Sequence, residues 1–488
     1  MNLVHIYPLI YAVLSCLGLT VVYGATYVQF GQTWYRPMNQ IGPLVLFVTC
    51  GWASYSLVRR SSLAIWTPMP WFLFACAAYY GLGPLAFPFG TAETVDYMVR
   101  DFPVDDYWLL RTNVLNTVGV AVVCATVAIG TAVFRFPFSS RGAGIQDYTK
   151  PIMWFFLAIG GTVKYAVTLP YALGLLPFVL PGSIQHLASL INAAIILLFV
   201  IIHRGDKKYY GLLYLVIGSE LVAGLMTFSK LEVIMTVLSI MLGRFLCSPN
   251  LKRLILSGLA FAIFYAAVLS PFVLFARVAA GGFGVSDVND LHDTVGEYNR
   301  IGKDALATLQ PGVQGWWARL NYTPVQAFVM NLYDTGATGE TFSVLPYVFV
   351  PRLLFENKPL MSSGKELTLL LTGDDSLGHT GVGVFGEAYW NGGWVMVACV
   401  SAYIGFLFSI FGQFSTTMLV EQKYAYLPVI LIGVVMGLRP DDWFISTYVG
   451  SIIEAVVLLA VFAVIVMILR SWPVMIVGHH VRSHIRLS

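Results

Sequence analysis

About twelve runs of roughly 20 apolar residues divide this chain, and they constrain its fold more than any other feature. Roughly 20 apolar residues is the length that an α-helix needs to cross the hydrocarbon core of a bilayer. A helix also satisfies its own backbone N–H and C=O groups, which lipid cannot do. The pattern predicts an all-α polytopic membrane protein with about 12 transmembrane helices. The predicted spans are roughly 6–24, 41–57, 69–87, 112–134, 152–177, 184–202, 209–228, 231–247, 254–276, 387–411, 425–437 and 446–469.

Composition supports the membrane class and excludes several functions. Hydrophobic residues make up 58% of the 488 residues, charged residues only 11%, and the net charge is +3. The positive charge is scattered with no basic block, so we expect no nucleic-acid partner. The six cysteines lie in apolar segments or beside basic ones, which predicts neither a disulfide nor a metal site. The first apolar run has no Lys or Arg before it and no small-residue cleavage site, so we expect a retained helix.

The loops between the spans alternate in charge, which predicts their sides of the membrane. The acidic loop over 93–106 and the long polar loop over 277–386 belong to the outer set, so both termini are predicted to be cytoplasmic. The chain then divides into a bundle over 1–276, an extracytoplasmic loop carrying short helices over 277–386, and further spans with a cytoplasmic tail over 387–488. The inner set carries Arg59, Arg60, Arg135, Arg141, Lys150, Arg204, Lys207, Lys208, Arg244, Lys252, Arg253, Lys423, Arg470, Arg482 and Arg486.

Two charged residues fall near the middle of predicted spans. Lys164 lies in the fifth span and Glu220 in the seventh. A charge at this depth costs some kcal/mol, about 2.5 to 3.5 on the insertion scale, so each side chain should face the interior of the bundle. We expect the two to approach one another or to share a polar cavity. The alternative is that each is satisfied locally as a structural anchor.

Several cations occur at predicted outer ends of helices, where the positive-inside rule disfavours them. Lys230 lies in the turn before span eight, Arg277 where span nine ends, and Arg439 after span eleven. Arg319 follows a tryptophan pair in the long loop. Such cations fit a lipid-linked phosphate or pyrophosphate. A lysine at a helix end more commonly extends to the headgroups without further function.

The long loop contains the segment around which the rest is arranged. Arg352 and Lys358 lie between Pro351 and Pro359, in Pro-Arg-Leu-Leu-Phe-Glu-Asn-Lys-Pro. The loop continues through Gly-Asp-Asp-Ser-Leu-Gly-His-Thr at 373–380 to Gly-Glu-Ala-Tyr-Trp-Asn-Gly-Gly at 386–393. Gly381, Gly383 and Gly386 match the letters of a dinucleotide motif, but no predicted strand precedes them and the compartment holds no nucleotide.

With these features the chain resembles the Wzy family of oligosaccharide repeat-unit polymerases, which includes the O-antigen polymerases. The resemblance rests on Tyr-Gly-Leu-Gly-Pro-Leu at 80–85, Ser229-Lys230 before an apolar helix, the cations at 351–359 and the motif at 386–393. It implies a glycosyltransferase of the bacterial inner membrane, with the large loop periplasmic or extracellular. Its donor and acceptor would be oligosaccharide repeat units linked to undecaprenyl pyrophosphate, and it leaves open whether a chain-length regulator is a partner.

A diphosphate leaving group needs cations and one base, so we expect no metal and no cofactor. Arg352 and Lys358 are candidate catalytic cations, and Arg277, Lys230, Arg319 and Arg439 are candidates for pyrophosphate binding. Glu387 and His379 are equal candidates for the base, with Asp374 or Asp375 as further carboxylates. For Glu387 the alternative is a helix-start residue that interacts with the helix dipole.

Two other functions remain open at this point. A ligase of the O-antigen type would use the same donor with a lipid A core acceptor. A glycan-lipid flippase would account for the charges within the spans, but transporters commonly show repeat symmetry between halves, and the sequence shows none.

Overall fold

The protein is built from helices throughout the described residues, which confirms the all-α class. The computed structural model describes residues 6–100, 102, 104–133, 149–176, 180, 182–279, 288–309, 315–350, 363–372 and 381–471. The longer helices are α1 (Tyr7–Ala25), α2 (Tyr35–Arg60), α3 (Pro68–Cys76), α4 (Asp106–Val133), α5 (Thr149–Val163), α6 (Leu190–His203), α7 (Tyr210–Met226), α8 (Lys230–Cys247), α9 (Leu251–Phe264), α10 (Ser270–Ala279), α11 (Val288–Leu309), α12 (Thr323–Asp334), α13 (Val384–Val420), α14 (Leu427–Leu438) and α15 (Gly450–Ser471).

Short and irregular helical turns connect or extend these helices. Shorter α-helices are Ala86–Phe89, Ala92–Val99, Leu169–Ala172, Gly182–Ala188, Gly315–Ala318, Leu345–Val348 and Ser363–Thr372. The 3₁₀ turns are Gln32–Trp34, Ser62–Trp66, Lys207–Tyr209, Thr341–Val344 and Tyr424–Tyr426. The π-helical turns are Thr26–Phe30, Ala77–Leu82, Lys164–Thr168, Tyr265–Leu269 and Ile445–Val449. Such π turns are rare and often occur at functional sites.

Within the described residues, nine helical segments are long and apolar enough to cross a membrane. Three further predicted spans, over 69–87, 231–247 and 425–437, coincide with α3 and its π turn, with α8 and with α14. These helices are shorter or, in α8, carry three charged residues, so the total of 12 crossings stays a prediction. The nine segments are Tyr7–Phe30, Gln32–Arg60, Asp106–Val133, Thr149–Ala172, His186–His203, Lys207–Met226, Leu251–Arg277, Val384–Val420 and Ile445–Ala463.

Small residues allow α4 and α13 to pack closely through the centre of the bundle. A Cβ added at Gly119 would collide with the ring of Phe385, and one at Gly405 would collide with Thr126. Small residues at such contacts let helix backbones approach, and dispersion then stabilises the pair where lipid offers no hydrophobic drive. The helix α13 bends where Gly392 and Gly393 leave helical geometry.

Part of the predicted outer loop packs into the helical bundle, and the prediction that the loop stands outside the bilayer stays a prediction. In α12, Gln326 and Met330 are completely buried. The Gln326 amide exchanges two hydrogen bonds with the amide of Asn116 in α4, at 2.8 and 3.1 Å. A paired amide is stable in a dry interior because its donors and acceptors are satisfied. The division at 277 and 386 stays a prediction, and α12 belongs with the bundle in its packing.

The polar contacts separate into two groups at opposite ends of α8. At the Cys247 end, Lys150 pairs with Asp206 at 2.5 Å, and the Arg204 guanidinium lies 5.8 Å from the centre of the Tyr424 ring. Lys230 begins the other end. The positive-inside rule predicts that the Lys150–Asp206 end faces the cytoplasm, and this orientation stays a prediction.

Candidate functional site

Lys230 begins α8 at the end of a strained turn. Two residues before it, the backbone of Phe228 lies in the left-handed region, at φ 48°, and the Phe228 ring is completely buried. The Ser229 hydroxyl caps α8 by accepting the N–H of Glu232 at 3.4 Å. The Lys230 ammonium donates to the Ser270 hydroxyl at 2.9 Å and lies 5.9 Å from the centre of the Tyr265 ring. The turn therefore holds the Lys230 side chain in place instead of leaving it extended toward headgroups.

Arg277 is tied to the same turn. Its Nε and Nη2 donate to the Phe228 carbonyl oxygen at 3.1 and 2.8 Å. A guanidinium has five N–H donors, so this contact leaves three for other acceptors. This fork of two hydrogen bonds from Arg277 fixes the end of α10 against the turn before α8. Positive φ at a bulky residue is uncommon and is retained only where the surroundings hold it, as this fork does at Phe228.

Arg319 is the third cation beside this turn. Burial, together with the charges of Arg319 and Arg277, lowers the pKa of Lys230 to about 7. Like charges this close disfavour the ammonium form, and a bound anion would reverse that effect. The structure thus brings together three of the four residues predicted to bind pyrophosphate.

The fourth, Arg439, belongs to an acidic turn between α14 and α15. Its Nη2 pairs with the Asp442 carboxylate at 2.8 Å. The Tyr322 hydroxyl donates to Oδ2 of Asp441 at 3.1 Å. Oδ1 of Asp441 is buried and has no hydrogen-bond partner within the ranges that the structure covers. A buried carboxylate oxygen without a partner is costly, which makes Asp441 a candidate for contact with a substrate proton.

Burial raises the pKa of Asp441 to about 6, an effect that Arg439 opposes and Asp442 reinforces. Tyr265 interacts electrostatically with Arg319, Asp441 and Arg277. Tyr265 is therefore within electrostatic range both of Asp441 and of the arginines beside Lys230. A carboxylate with a pKa near neutrality, beside cations, is the arrangement that general-base catalysis needs.

The Tyr-Gly-Leu-Gly-Pro-Leu motif at 80–85 holds the two parts of the site together. The Tyr80 hydroxyl donates to the carbonyl oxygen of Pro440 at 2.5 Å, next to Asp441. The Trp317 indole N–H donates to the carbonyl oxygen of Leu82 at 2.7 Å. Gly83 has no room for a Cβ, because the Leu320 carbonyl oxygen occupies that space. The motif thus positions the acidic turn and the segment that carries Arg319.

Glu387 lies behind the acidic turn, and its surroundings favour the alternative of a structural residue, while its role as a base stays a prediction. The residue is completely buried. Its Oε1 accepts the Thr341 hydroxyl at 2.8 Å, and its Oε2 accepts the backbone N–H of Phe444 at 2.5 Å. Each oxygen already accepts a protein donor and the residue is completely buried, so an acceptor hydroxyl does not reach them in this conformation. We assign Glu387 an anchoring role, joining α13 to the segment after the acidic turn.

The rest of the 386–393 motif anchors the chain after α12. The Asn391 amide donates to the Thr341 hydroxyl at 2.7 Å. The Tyr389 hydroxyl donates to Asp334 at 2.9 Å, and Arg111 both pairs with Asp334 and donates to Tyr389 at 2.8 Å. These contacts satisfy polar groups of the motif internally, so the motif has a structural role in this protein.

The predicted approach of Lys164 and Glu220 is confirmed, with a partner that the sequence analysis did not include. The Lys164 ammonium lies 4.0 Å from the Glu220 carboxylate and 2.8 Å from that of Glu232 in the first turn of α8. Glu220 also accepts the Tyr165 hydroxyl at 2.7 Å. Lys164 and Glu220 are buried within the bundle. The network fixes α5, α7 and α8 below the turn that carries Lys230.

The remaining predicted site residues lie outside the described residues. These are Arg352, Lys358, His379, Asp374 and Asp375. Within the described ranges, His, Cys, Asp and Glu side chains form no group of three or more that would hold a metal ion.

Asp441 is the residue that the sequence analysis missed. Its only sequence signal is a pair of acidic residues directly after Arg-Pro at a predicted outer helix end. The surroundings of its side chain depend on a distant segment. Tyr322, directly before α12 and 119 residues earlier in the chain, donates to Oδ2 of Asp441.

Comparison with protein-family models, with curated proteins and with solved structures finds no match to this chain.

Proposed function

We propose that this protein is a polysaccharide polymerase of the Wzy type, a glycosyltransferase of the bacterial cytoplasmic membrane. It would transfer a growing glycan from undecaprenyl pyrophosphate to the non-reducing end of a fresh lipid-linked repeat unit. The proposal rests on the grouping of Lys230, Arg277 and Arg319 around one turn. Tyr265 lies within electrostatic range of both arginines and of Asp441, whose Oδ1 has no hydrogen-bond partner within the described residues.

In the proposed reaction, a hydroxyl of the acceptor sugar attacks the anomeric carbon of the donor glycan. The new C–O bond forms as the bond from that carbon to the pyrophosphate oxygen breaks. The hydroxyl proton passes to Asp441, and the electron pair leaves with undecaprenyl pyrophosphate. The step needs no oxidant, reductant or nucleotide, because the donor carries its own leaving group.

The cations stabilise the leaving group in this scheme. The diphosphate develops negative charge as it departs, and Lys230, Arg277 and Arg319 would meet that charge. Arginine suits the role because its planar donors match two phosphate oxygens at once. Preorganised donors of this kind are typically worth a factor of about 10² to 10³ each in rate.

Asp441 suits the base role by its pKa. A pKa of about 6 leaves the carboxylate ionised at neutral pH and still basic enough to accept a proton. The Tyr322 hydrogen bond orients one oxygen, so the other is directed away from it. Arg352, Lys358 and His379 stay candidates for additional contacts with the diphosphate or the acceptor.

The proposal is tested by the glycan ladder of a deletion strain carrying plasmid copies of the gene. We expect Asp441→Asn and Lys230→Ala to leave single repeat units, whereas the wild type restores long chains. Arg300→Ala is the matched control, because Arg300 is an exposed arginine of the same loop. Wild-type chain lengths from Asp441→Asn, at equal protein level, would remove Asp441 from the mechanism.

The ligase remains a second candidate, since the same cation group would serve the same donor. A deletion strain that accumulates long polymer on its carrier lipid would favour the ligase. The buried Lys164 network favours the flippase as a third candidate. Repeat units confined to the cytoplasmic leaflet after deletion would decide for it.

A further inference from the structure

A large crevice opens between helices at the end of the bundle opposite to Lys230. Its volume is about 1020 Å³, and α6, α7, α8 and α9 contribute its walls. The interior surface is mainly apolar, with Phe199, Ile217 and Met241 among its lining residues. The crevice lies outside the candidate site, and no step of the proposed reaction uses it.

The cations of the crevice occur where helices end. Arg244 lies in the last turn of α8, Arg253 in the first turn of α9, and His203 at the end of α6. The side chains of all three are exposed. No acidic side chain lines the crevice among the residues that the structure describes. The crevice thus has positive charge at the helix ends and apolar walls along the helices.

The helix α9 leaves the crevice accessible from the side. None of its residues is buried. Leu256 is 64% exposed, and Tyr214 of α7, which also lines the crevice, is 68% exposed. In a membrane such apolar surface meets lipid chains. The opening therefore faces the bilayer along its length and water only at the cationic end.

We propose that this crevice binds an anionic phospholipid. The phosphate would contact Arg244 and Arg253, and the acyl chains would lie between α7 and α9. Basic pockets between membrane helices are a recognised arrangement for anionic headgroups. The amphipathic layout fits one lipid molecule, since a soluble anion would not use the apolar walls and an apolar ligand would not use the arginines. By the positive-inside rule, the lipid comes from the cytoplasmic leaflet.

This inference does not depend on the proposed function. Arg244 lies 14 residues after Lys230 on α8, which corresponds to roughly 21 Å along the helix axis. A lipid in the crevice would fill the space beside α8 and hold α9 against the bundle. It would act on the stability of the helix that positions Lys230 without touching the reaction.

The test is native mass spectrometry of the full-length protein in micelles, titrated with phosphatidylglycerol or with phosphatidylcholine. We expect one phosphatidylglycerol to bind more tightly than the rest, and Arg244→Gln/Arg253→Gln to weaken that binding about 30-fold. The control Lys207→Gln/Lys208→Gln removes the same charge from exposed residues at this end, and its binding should equal that of the wild type.

A second variant keeps the charges and fills the crevice. Ser257 is an exposed lining residue, so Ser257→Trp should leave the fold intact and abolish tight binding. If the arginine and lysine double variants weakened phosphatidylglycerol binding equally, the effect would be one of general surface charge and not of the crevice. Wild-type binding by Ser257→Trp would show that the lipid does not enter the crevice. Tight binding of undecaprenyl phosphate but not of phosphatidylglycerol would overturn the proposal and show that the crevice binds a polyprenyl carrier instead of a phospholipid.

Discussion

The Lys164 ammonium contacts the Glu232 carboxylate at 2.8 Å, which joins the π turn after α5 to the first turn of α8. Glu232 lies two residues after Lys230. The ion pair inside the bundle therefore fixes the start of the helix that presents a cation to the candidate site.

We expect Lys164→Ala to destabilise the protein by about 3 to 5 kcal/mol, because two carboxylates then lack their cation and Glu220 is buried. Thermal unfolding in detergent measures the loss. Lys150→Ala removes an exposed ion pair and should change stability little. The exchange Lys164→Glu/Glu232→Lys should recover part of the loss. No difference between the Lys164 and Lys150 variants would show that the network does not stabilise the bundle.

We expect kcat/KM for polymerisation to follow a bell-shaped pH profile with limbs near pH 6 and pH 7. Asp441 must be ionised to accept a proton, so the rate rises as pH rises through its pKa of about 6. Lys230 must be protonated to bind diphosphate, so the rate falls as pH rises through its pKa of about 7. Such profiles report the free enzyme. The measurement uses purified protein and lipid-linked repeat units.

Two variants separate the limbs of this profile. Lys230→Arg should move the falling limb to much higher pH, because an arginine stays charged. Tyr322→Phe removes a hydrogen bond that stabilises the Asp441 carboxylate, so the rising limb should shift to higher pH. A falling limb that stays near pH 7 in Lys230→Arg would assign it to another group.

We expect Glu387→Gln to lower stability by about 1 to 3 kcal/mol with little effect on the activity of the folded protein. A glutamine offers one acceptor oxygen, whereas both Thr341 and the Phe444 N–H donate to the glutamate. Thermal unfolding and turnover per folded molecule are measured together. Intact stability with lost turnover would instead restore Glu387 as a catalytic base.

We expect Gly83→Ala to destabilise the protein by about 1 to 3 kcal/mol and to shorten the glycan chains. The new methyl group would force the Leu320 carbonyl away, and Arg319 would move with it. Gly161→Ala is the control, since nothing lies within 4 Å of the added carbon there. Normal chain lengths in Gly83→Ala would show that the position of Arg319 is unimportant.

Much of the fold follows from local sequence, as α4 and α13 illustrate. Apolar length predicts a helix wherever it occurs, because backbone groups in lipid must bond within their own segment. The cost of a charge in lipid likewise predicts that Lys164 and Glu220 face inward. Neither rule predicts that α12 enters the bundle, because that depends on the amide pair of Gln326 and Asn116, 210 residues apart.

The sequence by itself determined the helical class and the identity of the cations Lys230, Arg277 and Arg319, through composition, span length and charges at helix ends. Only the tertiary structure decided which carboxylate is the candidate to act with them. Glu387 and Asp441 are both acidic residues near helix ends, and nothing local distinguishes them. In the fold, both oxygens of Glu387 accept protein donors, whereas one oxygen of Asp441 accepts none within the described residues. These hydrogen bonds join segments that are distant in the chain, so local sequence cannot predict them.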